Sequence, residues 1–258
     1  MRIAINGIGI AGPTLAWWLR HYGHEPVLYE RAPALRTGGY LIDFWGLGYE
    51  IAERMGIIGT VRDRAYEVRR MDMVDANGRV EASVDLQPAR DAMEGRYISI
   101  ARSELGSALF TACDGIPAHF GVSITEMTDA DDGATVTLSD GSHERYDLVV
   151  GADGLHSRIR KAAFGDGQQF EEFLDCCVAA FEVAGYPQRD DLVYVSHTEV
   201  NRHAARMSLR NDRTLVLFVW RSERLADDLP LDARKAAVRG AFESMGWEAP
   251  VLLDAMDA

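Results

Sequence analysis

The chain has 258 residues, 47% of them hydrophobic and 26% charged, the make-up of a globular protein of one large or two smaller domains. Its net charge of −13, with no run of Lys or Arg, argues against a nucleic-acid partner, because such a surface repels phosphate backbones. No stretch approaches the roughly 20 apolar residues that span a bilayer, and no signal-peptide core precedes the first glycines, so a cytoplasmic protein without integral membrane association is expected.

The N-terminal segment is the most legible. Ile3 to Asn6 is a short apolar run ended by Gly7, which predicts a buried parallel strand. Thr14 to Tyr22 has helical periodicity and stops at Gly23, a residue suited to ending a helix. Pro26 to Glu30 predicts a second strand, which completes a βαβ unit. A helix is expected from Gly46 to Met55. Residues 68–74 and 80–84 alternate on either side of Asn77-Gly78, which predicts a hairpin inserted into the first domain. A helix follows over Ser103 to Thr111. A small meander is read from Phe120 to Thr125, Ala134 to Leu138 and Tyr146 to Val150, then a short helix through Arg160.

Beyond residue 170 the βαβ pattern ends. Val178 to Val183, Leu192 to Ser196, Ala204 to Leu209 and Leu215 to Trp220 predict strands of one antiparallel sheet, followed by an amphipathic helix over Asp232 to Met245. Cys113, Cys176 and Cys177 form neither a disulfide framework nor a metal-ligand spacing, and read as reduced thiols in or near the core. The expected fold is α/β: a Rossmann-like domain over 1–70 and 98–170, and an antiparallel-sheet domain over 71–97 and 171–258.

Two motifs carry chemistry. Gly7-Ile8-Gly9-Ile10-Ala11-Gly12 fits G-x-G-x-x-G between a strand and a helix. Gly7 permits the tight turn and Gly9 lets a pyrophosphate touch the backbone. Gly12 lets helix and strand pack closely, and the helix N-terminus beyond Ile10 and Ala11 offers unpaired N–H groups. Glu30 ends the second strand 18 residues later, where a carboxylate accepts bonds from a ribose hydroxyl and repels a 2′-phosphate. The pattern points to an adenosine diphosphate moiety without a 2′-phosphate, as in FAD or NAD. The second motif is an apolar strand ending in Gly151-Ala152-Asp153-Gly154, with Ser157 and Arg160 after it, at the carboxyl end where α/β ligands sit.

With Glu30-Arg31 and Arg102, these motifs make the chain resemble the FAD-dependent aromatic-ring monooxygenases, the p-hydroxybenzoate hydroxylase family, nearest its tetracycline-inactivating and polyketide-tailoring branch. The resemblance runs in order through nearly the whole chain. It implies that Gly7, Gly9, Ile10, Ala11, Gly12 and Glu30 bind the ADP half of FAD, and that Arg31 borders the adenine or ribose. It implies that Arg102 meets the diphosphate or ribityl region, and that Asp153 and Gly154 serve FAD and the pyridine nucleotide. Asp43, after Gly38-Gly39, resembles an acid near the isoalloxazine, with a one-residue offset.

The activity implied is hydroxylation of an aromatic or polycyclic small molecule. NAD(P)H acts as a transient reductant, and O2 is activated as a flavin C4a-hydroperoxide. A reductase, dehydrogenase or halogenase on the same fold is the alternative, although the halogenase segment Trp-x-Trp-x-Ile-Pro is absent. A flavin-free, non-catalytic fragment is the other. The family also carries a later Gly-Asp motif followed by proline. Gly165-Asp166-Gly167 comes too early for it, and the chain stops at Met256-Asp257-Ala258, so a piece truncated at its C-terminus is expected, as monomer or dimer.

No residue reads as a catalytic acid or base. His156 and His197 read as surface or packed histidines, Arg206 and Arg210 as a solvated strand face with an anionic-substrate contact as the alternative, and Trp17-Trp18 as packing. Trp45 and Trp220 are possible pocket borders.

Overall fold

The computed structural model describes residues 1–165 and 167–257. Asp166 and Ala258, in the two stretches weighed above for the later motif and the chain end, lie outside the described residues. The chain divides into two compact units. The first comprises Met1–Thr37, Glu50–Arg64 and Arg102–Glu172; the second comprises Gly38–Tyr49, Ala65–Ala101 and Phe173–Ala258.

The elements, in chain order, are β1 (Arg2–Asn6), α1 (Ala11–His21), β2 (Glu25–Glu30), β3 (Leu41–Phe44), α2 (Gly46–Arg54), α3 (Ile58–Arg64), β4 (Arg70–Val74), β5 (Val80–Asp85), α4 (Gln87–Ala92), β6 (Ile98–Ala101) and α5 (Arg102–Thr111). Then come β7 (Ala118–Phe120), β8 (Ile124–Ala130), β9 (Gly133–Leu138), β10 (His143–Tyr146), β11 (Leu148–Gly151), α6 (Arg158–Phe164), β12 (Cys176–Ala184), β13 (Val193–Glu199), β14 (Arg202–Leu209), β15 (Arg213–Arg221), α7 (Leu231–Phe242) and α8 (Ala249–Asp257).

In the first unit a four-stranded parallel sheet runs β11-β1-β2-β7. Its central strand is covered on both faces, which is why Ile3, Ala4 and Ile5 form an unbroken apolar run. Ile3, Ile5 and Leu28 pack with Ala16 of α1 and Cys113, next to Leu15, Trp17 and Phe110. Ala4, Val27 and Tyr29 face the other way, onto Ile124, Val136, Leu138 and Tyr146 of the antiparallel sheet β10-β9-β8. Each fully buried Ile, Leu or Val among them contributes about 1.5–3 kcal/mol.

The expected meander is therefore two structures. Phe120 to Thr125 straddles the end of β7, the turn at Gly121 (φ +74°) and the start of β8. Tyr146 to Val150 is broken at Asp147, whose carboxylate accepts the Arg2 N–H at 2.6 Å; β10 stays with the meander while β11 joins the parallel sheet. The short helix begins at Arg158 rather than ending at Arg160.

In the second unit a six-stranded sheet runs β12-β15-β14-β13-β4-β5. One face, with Ala204, Val216, Phe218 and Trp220, is covered by Val238 and Phe242 of α7 and Leu252 and Leu253 of α8. On the other, Met207, Leu209 and Leu215 pack with Val68, next to Leu41 and Tyr66. The hairpin at Asn77-Gly78 forms because the Asp75 carboxylate accepts from the Asn77 and Arg79 N–H groups, both at 2.8 Å, and Gly78 takes φ +79°. The sheet is not wholly antiparallel: β4 lies between β5 and β13 and pairs with β13 in parallel, Val195 opposite Asp72.

The second unit also takes in more of the early chain than 71–97. β3 pairs with β6, and Tyr66 exchanges two backbone bonds with Ser99, so Gly38–Tyr49 and Ala65–Ala101 are held together by backbone hydrogen bonds.

Three side chains differ from their expected surroundings. Arg206 is buried rather than solvated. Its guanidinium bonds Glu248 and Asp190, both at 2.7 Å, and lies over the Trp247 ring. Cys176 is exposed and outside the core. Trp220 is buried and packed edge-on against Phe242 beneath α7, within the core of the second unit.

Candidate functional site

The first unit gathers Gly7, Gly9, Gly12, Glu30, Arg102 and Asp153 at the carboxyl ends of β1, β2 and β11, where ligands of open α/β sheets lie. The three glycines have different physical reasons. Gly7 takes φ +118°, and a Cβ there would sit 2.4 Å from the Ala152 carbonyl oxygen. A Cβ on Gly12 would come 1.9 Å from the Gly7 carbonyl oxygen, so no other residue lets α1 start so close to the loop. Around Gly9 the space is open: among the described residues, its chain neighbours aside, only Arg102 Nη2 comes within 4 Å of the Cβ position, at 3.8 Å.

The start of α1 is electrostatically bare. Ile10 caps it without a side-chain bond, and no acidic residue occupies its first turn. The N–H groups of Gly9 and Ile10 find no partner among the described residues outside regular elements. The helix dipole thus leaves a positive end unneutralised by the protein. Arg102, the first residue of α5, is half-buried and has no ion pair or hydrogen bond to any described residue. A guanidinium without a carboxylate beside such a helix start is a donor set for an anion.

Glu30 is 9% exposed and braces the loop. One carboxylate oxygen accepts from the Ile8 N–H at 2.9 Å and the other from the Ala32 N–H at 3.0 Å, while the Gly7 N–H bonds the Tyr29 carbonyl at 2.7 Å. Arg31 is exposed and without an ion-pair partner among the described residues.

The Asp153 carboxylate is turned into the protein. It accepts from the Ser157 hydroxyl at 2.5 Å, the Arg158 N–H at 2.7 Å and the Asn6 side-chain amide at 3.0 Å. Ser157 in turn accepts from the Arg160 N–H and caps α6. Gly154 (φ +82°) then exposes bare backbone. Arg160 bonds the Leu155 carbonyl and Glu171, and His156 lies 3.8 Å from Glu171 on the surface. Asn6 escaped notice in the sequence; its signal is a lone carboxamide closing an otherwise apolar, doubly covered strand.

Asp43 belongs to the second unit. It lies on β3 opposite Ser99, whose hydroxyl donates to it at 2.7 Å. Burial and the Asp43 charge push the Tyr97 phenol up to about 12. His197, in the same unit, is buried and bonds the Val74 carbonyl at 2.7 Å, a packed histidine. Among the described residues no cluster of metal-ligating side chains occurs, and no helix is long and apolar enough to cross a membrane.

The open backbone at Gly9, the bare helix start, the unpaired Arg102 and the buried Glu30 fit the diphosphate and ribose of a dinucleotide. No family model matches the chain. Among curated proteins, it is 30% identical over 259 residues to a flavin-dependent monooxygenase from an unknown prokaryotic organism, covering 99% of this chain and 66% of that protein. It is 29% identical over 270 residues to an FAD-dependent monooxygenase of Sarocladium schorii, covering 98% and 62%. The crystal structure of tetracycline destructase Tet(55) superposes with a TM-score of 0.85 at 29% identity, over 99% of this chain and 65% of that one. The chain spans about two thirds of the length of these relatives. Sequence and fold together show that it belongs to the FAD-dependent aromatic-ring monooxygenase family.

Proposed function

We propose that this chain supplies the ADP-binding half of an FAD site in a monooxygenase that hydroxylates an aromatic or polycyclic small molecule with NAD(P)H and O2. The observation that carries the reading is the unpaired Arg102 guanidinium beside the open backbone of Gly9 at the start of α1. In this reading Gly9, Ile10 and Ala11 present backbone N–H groups to the diphosphate, and Arg102 adds a charge-assisted bond. Glu30 accepts from the adenosine ribose while keeping the loop in place, and Arg31 borders the adenine. Asp153 acts through the chain it orders, and Gly154 leaves room for the nucleotide. Asp43, held on β3 by the Ser99 hydroxyl, is the acid this reading assigns to the isoalloxazine. When bound, FAD supplies oxygen transfer from O2 after reduction by the nicotinamide, and the protein binds, orients and excludes water.

Flavin fluorescence titration tests this directly. The wild-type chain is expected to take up FAD, and Arg102→Met to bind it at least tenfold more weakly with unchanged melting temperature. Equal affinity of the two would remove Arg102 from the site, and no uptake by the wild type would remove the FAD reading. For the reaction, substrate-dependent NAD(P)H oxidation that leaves no hydroxylated product would favour another flavin oxidoreductase.

A further inference from the structure

We infer that Asn6 is a positioning residue for the dinucleotide loop: its side-chain amide staples the end of β1 to the chain leaving β11 and to the start of β8. Asn6 is 3% exposed, immediately precedes Gly7, and lies in register with Tyr29 on β2 and Gly151 on β11. Its Nδ2 donates to the Asp153 carboxylate at 3.0 Å, and its Oδ1 accepts from the Ile124 N–H at 3.0 Å. The orientation of the amide is fixed by its partners, since an ionised carboxylate only accepts and a peptide N–H only donates. Its own carbonyl accepts from the Ala152 N–H at 2.8 Å, so backbone and side chain grip neighbouring residues of the same segment.

The staple acts at the wall against which the glycine turn rests. Gly7 lies so near Ala152 and Asp153 that its Cβ position falls 2.4 Å from the Ala152 oxygen and 2.8 Å from the Asp153 nitrogen. Holding Asp153 therefore holds the surface that sets the path of Gly7, and Gly7 sets the aim of the Gly9 and Ile10 N–H groups. Leu or Val at position 6 would fill the space without either bond. Asp would keep the acceptor and lose the donor. The proposal rests on the FAD reading for its consequence, though not for the staple itself.

Asn6→Asp is the decisive variant because it is nearly isosteric. It sets two carboxylates about 3 Å apart, roughly the spacing at which like charges do not both ionise, so one carboxyl pKa rises. The other charged groups around the pair are Glu30, at the Ile8 N–H, and Arg158, whose guanidinium reaches Ser123 at 3.2 Å. A carboxyl with a raised folded-state pKa stabilises while protonated, so the order restored at acid pH is lost as pH rises through that value.

The experiment combines hydrogen exchange of the 258-residue chain with FAD titration, at pH 7.5 and 5.0, for wild type, Asn6→Asp, Asn6→Leu and Val136→Ala. Val136 lies in the core behind the same sheet, pairs along the strands with Met127 and Glu144, and makes none of the loop's hydrogen bonds. At pH 7.5 Asn6→Asp is expected to speed exchange at least tenfold in residues 7–12 and 153–159, to recover toward wild type at pH 5.0, and to follow the same course in FAD affinity. Asn6→Leu is expected to lose protection at both pH values, and Val136→Ala to leave both segments unchanged relative to its global loss. Wild-type protection in Asn6→Asp at pH 7.5, or equal loss in Val136→Ala, overturns the staple. A wild type that takes up no FAD overturns the function proposed above, while the exchange rates still decide on Asn6.

Discussion

Gly9→Ala separates binding from folding more sharply than any other change in the loop. A Cβ at Gly9 meets only Arg102 Nη2, at an ordinary contact distance of 3.8 Å, and the backbone there lies outside the left-handed region. Alanine is therefore accommodated, and by narrowing the unfolded ensemble it should stabilise the chain by about 0.4–1 kcal/mol. The methyl group nevertheless occupies the approach to the Gly9 and Ile10 N–H groups. Losing one bond to a charged diphosphate costs about 1.5–3 kcal/mol, roughly a tenfold to hundredfold loss of affinity. Gly12→Ala is the contrast: its Cβ would lie 1.9 Å from the Gly7 oxygen, so the fold itself must give way. Thermal melts followed by circular dichroism, with FAD titration of each variant, read the two effects separately. FAD binding by Gly9→Ala within twofold of wild type would refute the placement of the diphosphate. A melting loss in Gly9→Ala matching that of Gly12→Ala would refute the packing argument.

Glu30→Gln puts an NH2 group against either the Ile8 or the Ala32 N–H, and urea unfolding should show a loss of about 1–3 kcal/mol; an unchanged midpoint would show that the carboxylate does not brace the loop. In the second unit, burial alone would raise the Glu248 carboxyl, but bonds from Arg206, Tyr186 and Arg189 outweigh it and hold it below its usual 4.5. That stability is complete above the unfolded pKa and is lost as pH falls through the folded one, so urea unfolding from pH 6 to 3 should steepen below pH 4.5. Glu248→Gln should flatten that acid limb, and an identical limb in both proteins would discount the network. Burial, partly offset by the Arg20 charge, raises the Cys113 thiol to about 11. Iodoacetamide at pH 8 should therefore label exposed Cys176 and spare Cys113 in the native protein. Equal labelling by peptide mass spectrometry would contradict the burial.

Where the information was local, the sequence was readable to within about three residues at each element end. The unit from β1 to β2 lay open because a doubly buried strand, a glycine turn and a helix stopped by Gly23 each leave a mark within a few residues. The strands around Asp147 and Gly121 were not separable. A β-pattern records that a segment is extended, not which sheet it joins, and the switch from β10 to β11 needs only one bent residue held by Arg2. Arg206 is buried where alternation predicts solvation, for a related reason. Alternation along β14 names the face of a side chain but not what covers it, and Glu248 comes from the turn before α8, 42 residues away.

The sequence by itself determined the glycine loop between β1 and α1, the acid that ends β2 and the family, because the glycine pattern and the acid are written within 24 consecutive residues. Only the tertiary structure decided which of the singled-out polar residues are free. Arg102 stands unpaired beside Gly9, whereas the Asp153 carboxylate is taken up by Asn6, Ser157 and the start of α6. The physical reason is that a charged side chain is available to a ligand only when the fold has left it without a partner. Partners such as Asn6 and Asp153, 147 residues apart, meet only once the sheet has formed.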